Sequence, residues 1–403
     1  MLINNGQIGR RVYLMAFRHH FFPLFAYIAF SIIVYDLYPQ VIMKKEFASF
    51  LLSAFLVPLF FSCSSKKGEY LSLPVKEVDY LGKSVTALNA TPVNWGVLGC
   101  HEFVIKDSLC LVLTEDVTGM LEVVSLNSYS VIGKFCTKGR AGNEFNHVTD
   151  ILNQPYIKNG DIFYPLEDYW DGLLKTVNVS ESLRKHATVI DNSCEFSGEP
   201  GSLLDNDINR LFQQRTIQPY EMENLGDKAP VSYWLYEGDN ETELEVFPKR
   251  MKYDCEEEQY IFCPYGGSMY KHPGKNIVVQ PSSGIDCIFF FDFEAGRHFA
   301  IHQKGTVSYD DAYPGMTGNE MYFTDAAVAD DFFFVLYWHE GNDWNGKSAD
   351  FRPELLAFDW KGNFLGGYKL KERIARIEYD AMHNVIYGMT TSEDIYSYEN
   401  PLK

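Results

Sequence analysis

From about residue 70 to the C terminus, the chain alternates between short apolar runs and polar turns. Tyr, Phe, Val and Ile recur in the runs, and Asp, Asn or Gly stands in the turns between them. Such runs are typical of β-strands. No long stretch keeps a convincing helical period, so the pattern predicts an all-β domain.

The runs recur as a unit of a turn, an apolar strand, a polar gap, a second strand and a glycine turn. Six units follow one another at a spacing of roughly 50 residues, and units of this kind indicate a β-propeller. Their leading runs are LCLVLT, IFYPL, NRLFQQRTI, NIVVQ, FFFVLYW and VIYGM. We therefore expect a six-bladed β-propeller of four-stranded antiparallel blades. A pair of β-sandwiches or a solenoid is the alternative.

The last unit is short of strands, because the chain ends soon after Tyr379. The runs YLSLPVKEV (70–78) and SVTALNA (84–90) are expected to supply what is missing. An N-terminal strand that completes the last blade would remove an exposed sheet edge, which otherwise invites aggregation.

The stretch before the β-rich region has the pattern of an export signal. Lys44 and Lys45 precede an apolar run from Phe47 to Phe61, and Ser62 and Cys63 follow directly. A basic start, a short apolar run and a small residue before the cleavage point make a secretory signal. The segment Leu59–Cys63 resembles a bacterial lipobox, so residues 43–62 are predicted to be a lipoprotein signal peptide, with Cys63 as the lipidated residue. A plain signal peptide with an incidental cysteine is the alternative.

The predicted domains follow from this. Residues 1–42 are interpreted as an extension that is not translated, because translation is expected to start at Met43. An N-terminal membrane segment is the alternative. Residues 63–70 form a tether, and residues 71–403 form the propeller. Because Ser64–Lys67 is basic (SSKK), we expect a lipid-anchored protein of the bacterial cell envelope, on the outer membrane and facing the periplasm, with the cell surface as the other orientation.

The charge of the chain narrows the partners. The net charge is −19, and removal of residues 1–62 leaves 30 basic and 52 acidic residues, a net charge of −22. Nucleic-acid binding requires basic side chains that neutralise phosphates, so no nucleic-acid partner is expected. The expected partners are a small molecule, a glycan or a protein, together with the membrane through the lipid anchor.

Seven cysteines remain after Cys63, and their spacing does not form a disulfide framework. Several lie in apolar runs, where cysteine is usually a small buried hydrophobic residue. Cys100–Cys110 and Cys255–Cys263 are the nearest pairs if any bridge forms. No CxxC spacing for zinc is present, and neither a metal nor a cofactor is predicted.

Motifs for nucleophilic or cofactor chemistry are absent from the sequence: there is no GxSxG, P-loop, Rossmann fingerprint or HExxH. Gly99–Glu102 begins like the last of these, but Ile105 stands where the second histidine belongs. His298 and His302 are four residues apart in a strand-like run, which favours surface or core histidines. No catalytic residue is assigned.

The turn Phe135–Phe145, FCTKGRAGNEF, carries a resemblance to a known family. It resembles the "fG-kGrGPgEF" turn after the first blade of TolB-like six-bladed β-propeller lipoproteins of Bacteroides-type bacteria. Asp107–Val112 and the tyrosines near Ile386 and Tyr398 are similar to further family patterns, although Ala141 and Asn143 replace a glycine and a proline. The resemblance covers roughly residues 70–400 and implies a six-bladed propeller with a lipid anchor, but no activity.

The residues of this turn also predict its structure independently of the family resemblance. Gly139 and Gly142 are expected to adopt positive φ, Arg140 to donate to carbonyls or pair with Glu144, and Phe145 to enter the core. The turn would then staple one blade to the next. The other reading is that Arg140 and Glu144 present charge to the central channel.

Polar and aromatic residues after strands are the candidate binding residues, because loops on a rigid scaffold carry function. The candidates are Arg140, Glu144, His147, Asp168, Trp170, Trp338 and His339. The expected function is a ligand- or protein-binding scaffold without catalysis. The alternative is a hydrolase or lyase acting on glycans, which would need Glu144, His147, Asp168 and His339 around one cavity.

Overall fold

The computed structural model describes residues 71–84, 86–149, 154–196, 198–206, 209–216, 231–246, 267–305, 321–338 and 352–402. The predicted extension, signal peptide, tether and Cys63 lie outside these residues, as does His339. No helix in the described part of the chain is long and apolar enough to cross a bilayer.

The described chain forms six antiparallel sheets in sequence order, which confirms the six-bladed propeller. All six predicted units become blades. Blade 1 contains β4 (Cys100–Lys106), β5 (Leu109–Thr114), β6 (Leu121–Ser125) and β7 (Ser130–Phe135). Blade 2 contains β8 (Val148–Thr149), β9 (Tyr156–Lys158), β10 (Asp161–Asp168), β11 (Leu173–Asn178) and β12 (Ile190–Glu195), and both β8 and β9 pair with β10.

The next two blades follow the same plan. Blade 3 contains β13 (Gly201–Leu203), β14 (Arg210–Thr216), β15 (Val231–Glu237) and β16 (Asn240–Leu244). Blade 4 contains β17 (Tyr270–Lys271), β18 (Ile277–Pro281), β19 (Cys287–Asp292) and β20 (Arg297–Gln303).

The last two blades complete the series. Blade 5 contains β21 (Phe323–Val328), β22 (Phe332–Tyr337), β23 (Glu354–Asp359) and β24 (Phe364–Lys369). Blade 6 contains β25 (Ile374–Asp380), β26 (Val385–Thr390) and β27 (Ile395–Glu399).

Three short N-terminal strands run along the outer edges of blades 4, 5 and 6. β1 (Val75–Val78) pairs in parallel with β20, β2 (Thr86–Ala87) pairs in parallel with β24, and β3 (Thr91–Val93) pairs antiparallel with β27. Closure by an N-terminal strand is therefore confirmed. The choice of strand was wrong: the runs at 70–78 and 84–90 extend complete blades, and the place beside β27 is taken by Thr91–Val93.

Both faces of the middle strands are buried because neighbouring blades pack face to face. β19 (CIFFFD) is buried at its first five positions, whereas the outer strand β7 alternates between half-buried and exposed residues. Six apolar clusters occupy the spaces between consecutive blades. One of them, which includes Trp95 and Tyr387, joins blade 6 to blade 1, so the ring of described blades is continuous.

One α-helix occurs among the described residues, α1 (Val179–Lys185), between β11 and β12. The side chain of Asn178 caps its N terminus by accepting a hydrogen bond from the Glu181 N–H at 2.8 Å. Cys100 and Cys110, the nearest pair in the sequence, form no bridge: both cysteines are buried and free, and they face different residues across the β4–β5 ladder. Cys255 and Cys263 lie outside the described residues.

Candidate functional site

A cavity of about 620 Å³ opens at one end of the central channel. The first strands of neighbouring blades lie against one another around the axis, as β4 does with β25 and β21 with both β17 and β25. The cavity is built where these inner strands end and the chain turns back towards the second strand of each blade. Its volume is that of a small-molecule site, which in proteins is usually a concave, mostly apolar pocket with a few polar groups.

The apolar part of the lining comes from every blade. Val104, Leu203, Ala326 and Val328 stand on inner strands of blades 1, 3 and 5, and the Tyr156 and Tyr270 rings come from blades 2 and 4. Blade 6 contributes Tyr379 and Met382. The cavity therefore exists only when all six blades are assembled.

Three basic side chains lie in the wall of the cavity: Lys106 at the end of β4, and Lys271 and His272 at the end of β17. Lys271 is 6% exposed and His272 is 3% exposed, whereas Lys106 is half-buried. Burial lowers the pKa of both lysines. The nearby positive charge of Lys106 lowers the pKa of Lys271 further, which places the two amines within electrostatic reach of one another.

His272 is held in one orientation. Its Nδ1 accepts a hydrogen bond from the Gly274 N–H at 3.0 Å, so in the neutral ring the proton is on Nε2. The ring packs on Trp360 with centroids 4.7 Å apart, and Nε2 is buried with no hydrogen-bond partner. Burial lowers the pKa of His272, and Lys275 lowers it further, although the charge and the backbone of the nearby Asp330 act in the opposite direction. The imidazole is therefore neutral, with its N–H buried in the wall of the cavity.

Carboxylates stand mainly at the rim. Asp107 and Asp330 line the cavity in the hairpins after β4 and β21, and both are exposed. Glu378 of β25 is half-buried and has an interaction partner of its own. The positive groups are thus deeper than the exposed negative ones.

Tyr270 connects the cavity with a buried polar network. Its phenol donates a hydrogen bond to the Asp325 carboxylate, which also accepts the Ile377 N–H at 2.6 Å. Burial raises the pKa of Asp325, and the Arg376 guanidinium opposes that shift. Arg376 in turn lies 3.2 Å from Glu102. These contacts join four inner strands, β4, β17, β21 and β25.

The residues predicted from the sequence lie elsewhere. None of the six predicted residues within the described chain, Arg140, Glu144, His147, Asp168, Trp170 and Trp338, lines the cavity. His147 directly precedes β8, at the opposite end of the inner strands from Lys106 and Lys271. The convergence of Glu144, His147 and Asp168 on the described cavity, which the glycan-cleaving alternative required, is not formed.

The turn Phe135–Phe145 has the geometry of a staple between blades 1 and 2. Phe145 is fully buried, as expected, and the Gly139 N–H donates to its carbonyl at 2.9 Å. Glu144 does not pair with Arg140, which is exposed; its carboxylate accepts the Ala141 N–H at 2.8 Å.

The expected positive φ at Gly139 and Gly142 was wrong, since the positive φ in this turn belongs to Cys136, at 61°. Gly139 serves a different purpose. A Cβ atom there would lie 1.9 Å from a Glu144 carboxylate oxygen, so glycine allows that carboxylate to fold over the turn.

Asp168 and the two tryptophans have separate environments. Asp168 is fully buried and paired with Lys175 at 2.8 Å. Trp338 is 5% exposed, packs between blades 5 and 6 and donates to the Ile374 carbonyl at 3.1 Å. Trp170 is 72% exposed and stacks edge-on against Tyr169, which in turn contacts His147. A binding role for these residues stays a prediction, separate from the cavity.

The cavity residues Lys106, Lys271 and His272 were not found from the sequence. Their position in the repeat could have identified them, because they lie just before the turn that begins a unit. Lys106 precedes Asp107, and Lys271 and His272 precede Pro273–Gly274. In a propeller, those positions converge at one end of the axis. No group of three or more His, Cys, Asp or Glu in the described chain is placed to hold a metal ion.

Comparisons with known proteins give weak similarities. The sequence matches no family model and no curated protein. Among solved structures, a member of the DUF4221 family from Bacteroides vulgatus is 9% identical, with a TM-score of 0.45. The alignment covers 82% of this chain and 98% of that protein's chain. A protein from Bacteroides fragilis is 10% identical with a TM-score of 0.44, covering 80% and 97%. Similarity at this level assigns neither a family nor a function to the chain.

Proposed function

We propose that this protein is an exported, lipid-anchored β-propeller that binds a small molecule in the cavity at the end of its channel, without catalysing a reaction. The observation that carries the proposal is the cavity of about 620 Å³, lined by residues of all six blades. The packing of the six blades holds the pocket open before a ligand arrives. Sites for small ligands are usually pre-formed in this way.

The anchor rests on the sequence. The basic pair Lys44–Lys45, the apolar run and Cys63 form the lipobox-like segment. A single acyl chain holds a protein to a membrane only marginally, whereas several chains hold it durably. The propeller would thereby be retained at the envelope membrane, and its cavity would sample small molecules there.

Binding can be tested with a cavity-closing variant. Ile157 and Met382 line the cavity and are 40% and 59% exposed, so tryptophan at both positions would narrow the mouth without disturbing the core. Leu365→Trp is the matched control, because Leu365 is 46% exposed on the outer strand β24. We would titrate 2-naphthylmethanol and 2-naphthoate by ligand-observed NMR.

The expected result is saturable binding of at least one probe to the wild type and to Leu365→Trp, with binding lost in Ile157→Trp/Met382→Trp at an unchanged melting temperature. Binding that persists in the double variant would place the site elsewhere. A wild type that binds neither probe would also contradict the proposal.

The anchor is tested separately. Cys63→Ala should move the protein from the membrane fraction to the soluble fraction and abolish metabolic labelling with a fatty acid. Cys194→Ala, a half-buried cysteine of the propeller, is the control and should remain in the membrane fraction. Continued lipid labelling of Cys63→Ala would overturn the anchor.

A further inference from the structure

The cavity is lined by two lysines, Lys106 and Lys271, and by three carboxylates, Asp107, Asp330 and Glu378. The ammonium groups of Lys106 and Lys271 form no ion pair or hydrogen bond with the described residues, although Lys271 is 94% buried. Buried charges in proteins are ordinarily paired, because removing an ammonium group from water costs several kcal/mol when nothing replaces its hydration. Lys106 is only half-buried, but both lysines lack a counter-ion among the described residues, and this leaves a requirement for negative charge in the cavity.

The carboxylates of the rim do not meet this requirement. Asp107 and Asp330 are exposed, so water screens their attraction for the lysines. The negative charges of Asp107, Asp330 and Glu378 raise the pKa of Lys106, but burial lowers it by more. Around Lys271 the balance is similar, with burial again the largest cause of the lowered pKa.

His272 forms part of the cavity wall next to Lys271. Its ring is fixed by the Gly274 N–H and by Trp360, and its Nε2 atom is buried. The donors to an oxyanion, which accepts several hydrogen bonds at once, are therefore the two lysines. The Tyr156 and Tyr270 rings and the aliphatic side chains leave the rest of the cavity apolar.

We infer that the cavity binds a small organic acid, with its oxyanion, a carboxylate or a phosphate, held between Lys106 and Lys271, and its apolar or aromatic body against the tyrosines. The bridging anion would neutralise two unpaired charges and remove their mutual repulsion. This inference rests on the proposed function, since it names the class of ligand that the cavity takes.

The test compares four probes with the same ring and different charge: 2-naphthoate, 2-naphthyl phosphate, the neutral 2-naphthylmethanol and the cationic 2-naphthylmethylamine. Binding to the full-length protein is measured by isothermal titration calorimetry. Both acids should bind about tenfold or more tightly than the alcohol, since a hydrogen bond to a charged group is stronger than one to a neutral group. The ratio between the two acids distinguishes a carboxylate site from a phosphate site.

Three variants locate the charge. Lys106→Met and Lys271→Met should each weaken acid binding by about tenfold and leave binding of the alcohol unchanged. Lys361→Met is the matched control, because Lys361 is exposed and outside the cavity. If Lys271→Met fails to fold, the comparison of the four probes on the wild type still decides the question.

The outcomes separate the two proposals. If the alcohol binds as tightly as the acids, and the tryptophan pair at 157 and 382 blocks it, the cavity is a ligand site but the preference for acids is wrong. If the amine binds most tightly, the rim carboxylates govern the site and the inference is overturned. If no probe binds, both proposals fail.

Discussion

The Nζ atom of Lys175 lies 2.8 Å from Oδ2 of Asp168, and both side chains are buried. Lys175 also donates to the Glu144 carbonyl at 2.6 Å and lies over the Phe145 ring. Asp168 accepts the Asn146 N–H at 2.9 Å. The pair therefore holds the turn between blades 1 and 2 against strands β10 and β11 of blade 2.

Removal of one partner of this pair should destabilise the fold. Lys175→Met leaves the Asp168 carboxylate buried without its cation, and we expect a loss of about 3–5 kcal/mol in the free energy of unfolding. Urea denaturation measures it. Lys175→Met/Asp168→Asn should recover part of the loss, because no unpaired charge remains.

Lys185→Met is the comparison for an exposed pair. Lys185 lies 3.1 Å from Glu181 on α1, with its side chain 61% exposed. Its loss should be at most about 1 kcal/mol. An equal loss from Lys175→Met and Lys185→Met would show that the buried pair is not a structural fastening.

Asp286 should make stability fall as the pH rises. Burial raises its pKa to about 7, and Oδ2 has no hydrogen-bond partner, although the Tyr80 phenol donates to the other oxygen. Since the folded-state pKa lies above the ordinary value near 4, the folded protein holds the extra proton between these values. Its stabilising contribution is complete below about pH 4 and is lost as the pH rises towards about 7.

Asp286→Asn removes this dependence, because the amide does not ionise. We expect the variant to gain stability relative to the wild type between pH 5 and pH 8.5 by a few kcal/mol, measured by urea denaturation at both values. Asp239→Asn, in the exposed hairpin between β15 and β16, should show no such change. A difference between Asp286→Asn and the wild type that is the same at both pH values would contradict the assignment.

Tyr80 should hold the N-terminal segment (residues 71–93) against the ring. Its ring is fully buried and contacts Phe358 of blade 5 at a centroid distance of 5.6 Å, while its N–H donates to Gln303 of blade 4 at 2.8 Å. Tyr80→Ala should cost about 3–5 kcal/mol and increase protease cleavage within residues 71–93. Tyr80→Phe keeps the packing and should leave the segment protected. Equal cleavage in both variants would show that the ring does not hold the segment.

Gly267→Ala should destabilise the protein because of a rigid neighbour. A Cβ atom at residue 267 would lie 2.1 Å from the Pro281 carbonyl oxygen, which is backbone and cannot rotate away. We expect a loss on the order of 2–3 kcal/mol, seen as a lower melting temperature. At Gly274 a Cβ would meet nothing within 4 Å and φ is not positive, so Gly274→Ala is the control and should be nearly neutral. A neutral Gly267→Ala would contradict the close approach.

The all-β class of the fold and the number of blades could be predicted from the pattern of residues along the chain. Runs such as CIFFFD in β19 and FFFVLY in β22 are apolar at nearly every position because their sheets are covered on both faces, and the turns between them repeat at regular intervals. These are local properties, and a short strand is recognisable wherever it later packs. The inner strands were harder to recognise, since β8 and β17 have only two residues each.

The pairing of the N-terminal strands and the contacts between distant side chains could not be predicted from that pattern, because they depend on how the blades pack. Val75–Val78 and Thr91–Val93 are similar short extended runs, and their places beside β20 and β27 follow from the path of the chain around the ring. Lys106 and Lys271 are 165 residues apart in the sequence, yet they share one cavity because inner strands end around a common axis. Asp168, which the sequence presented as a loop carboxylate, is buried because Lys175 on the neighbouring strand neutralises it.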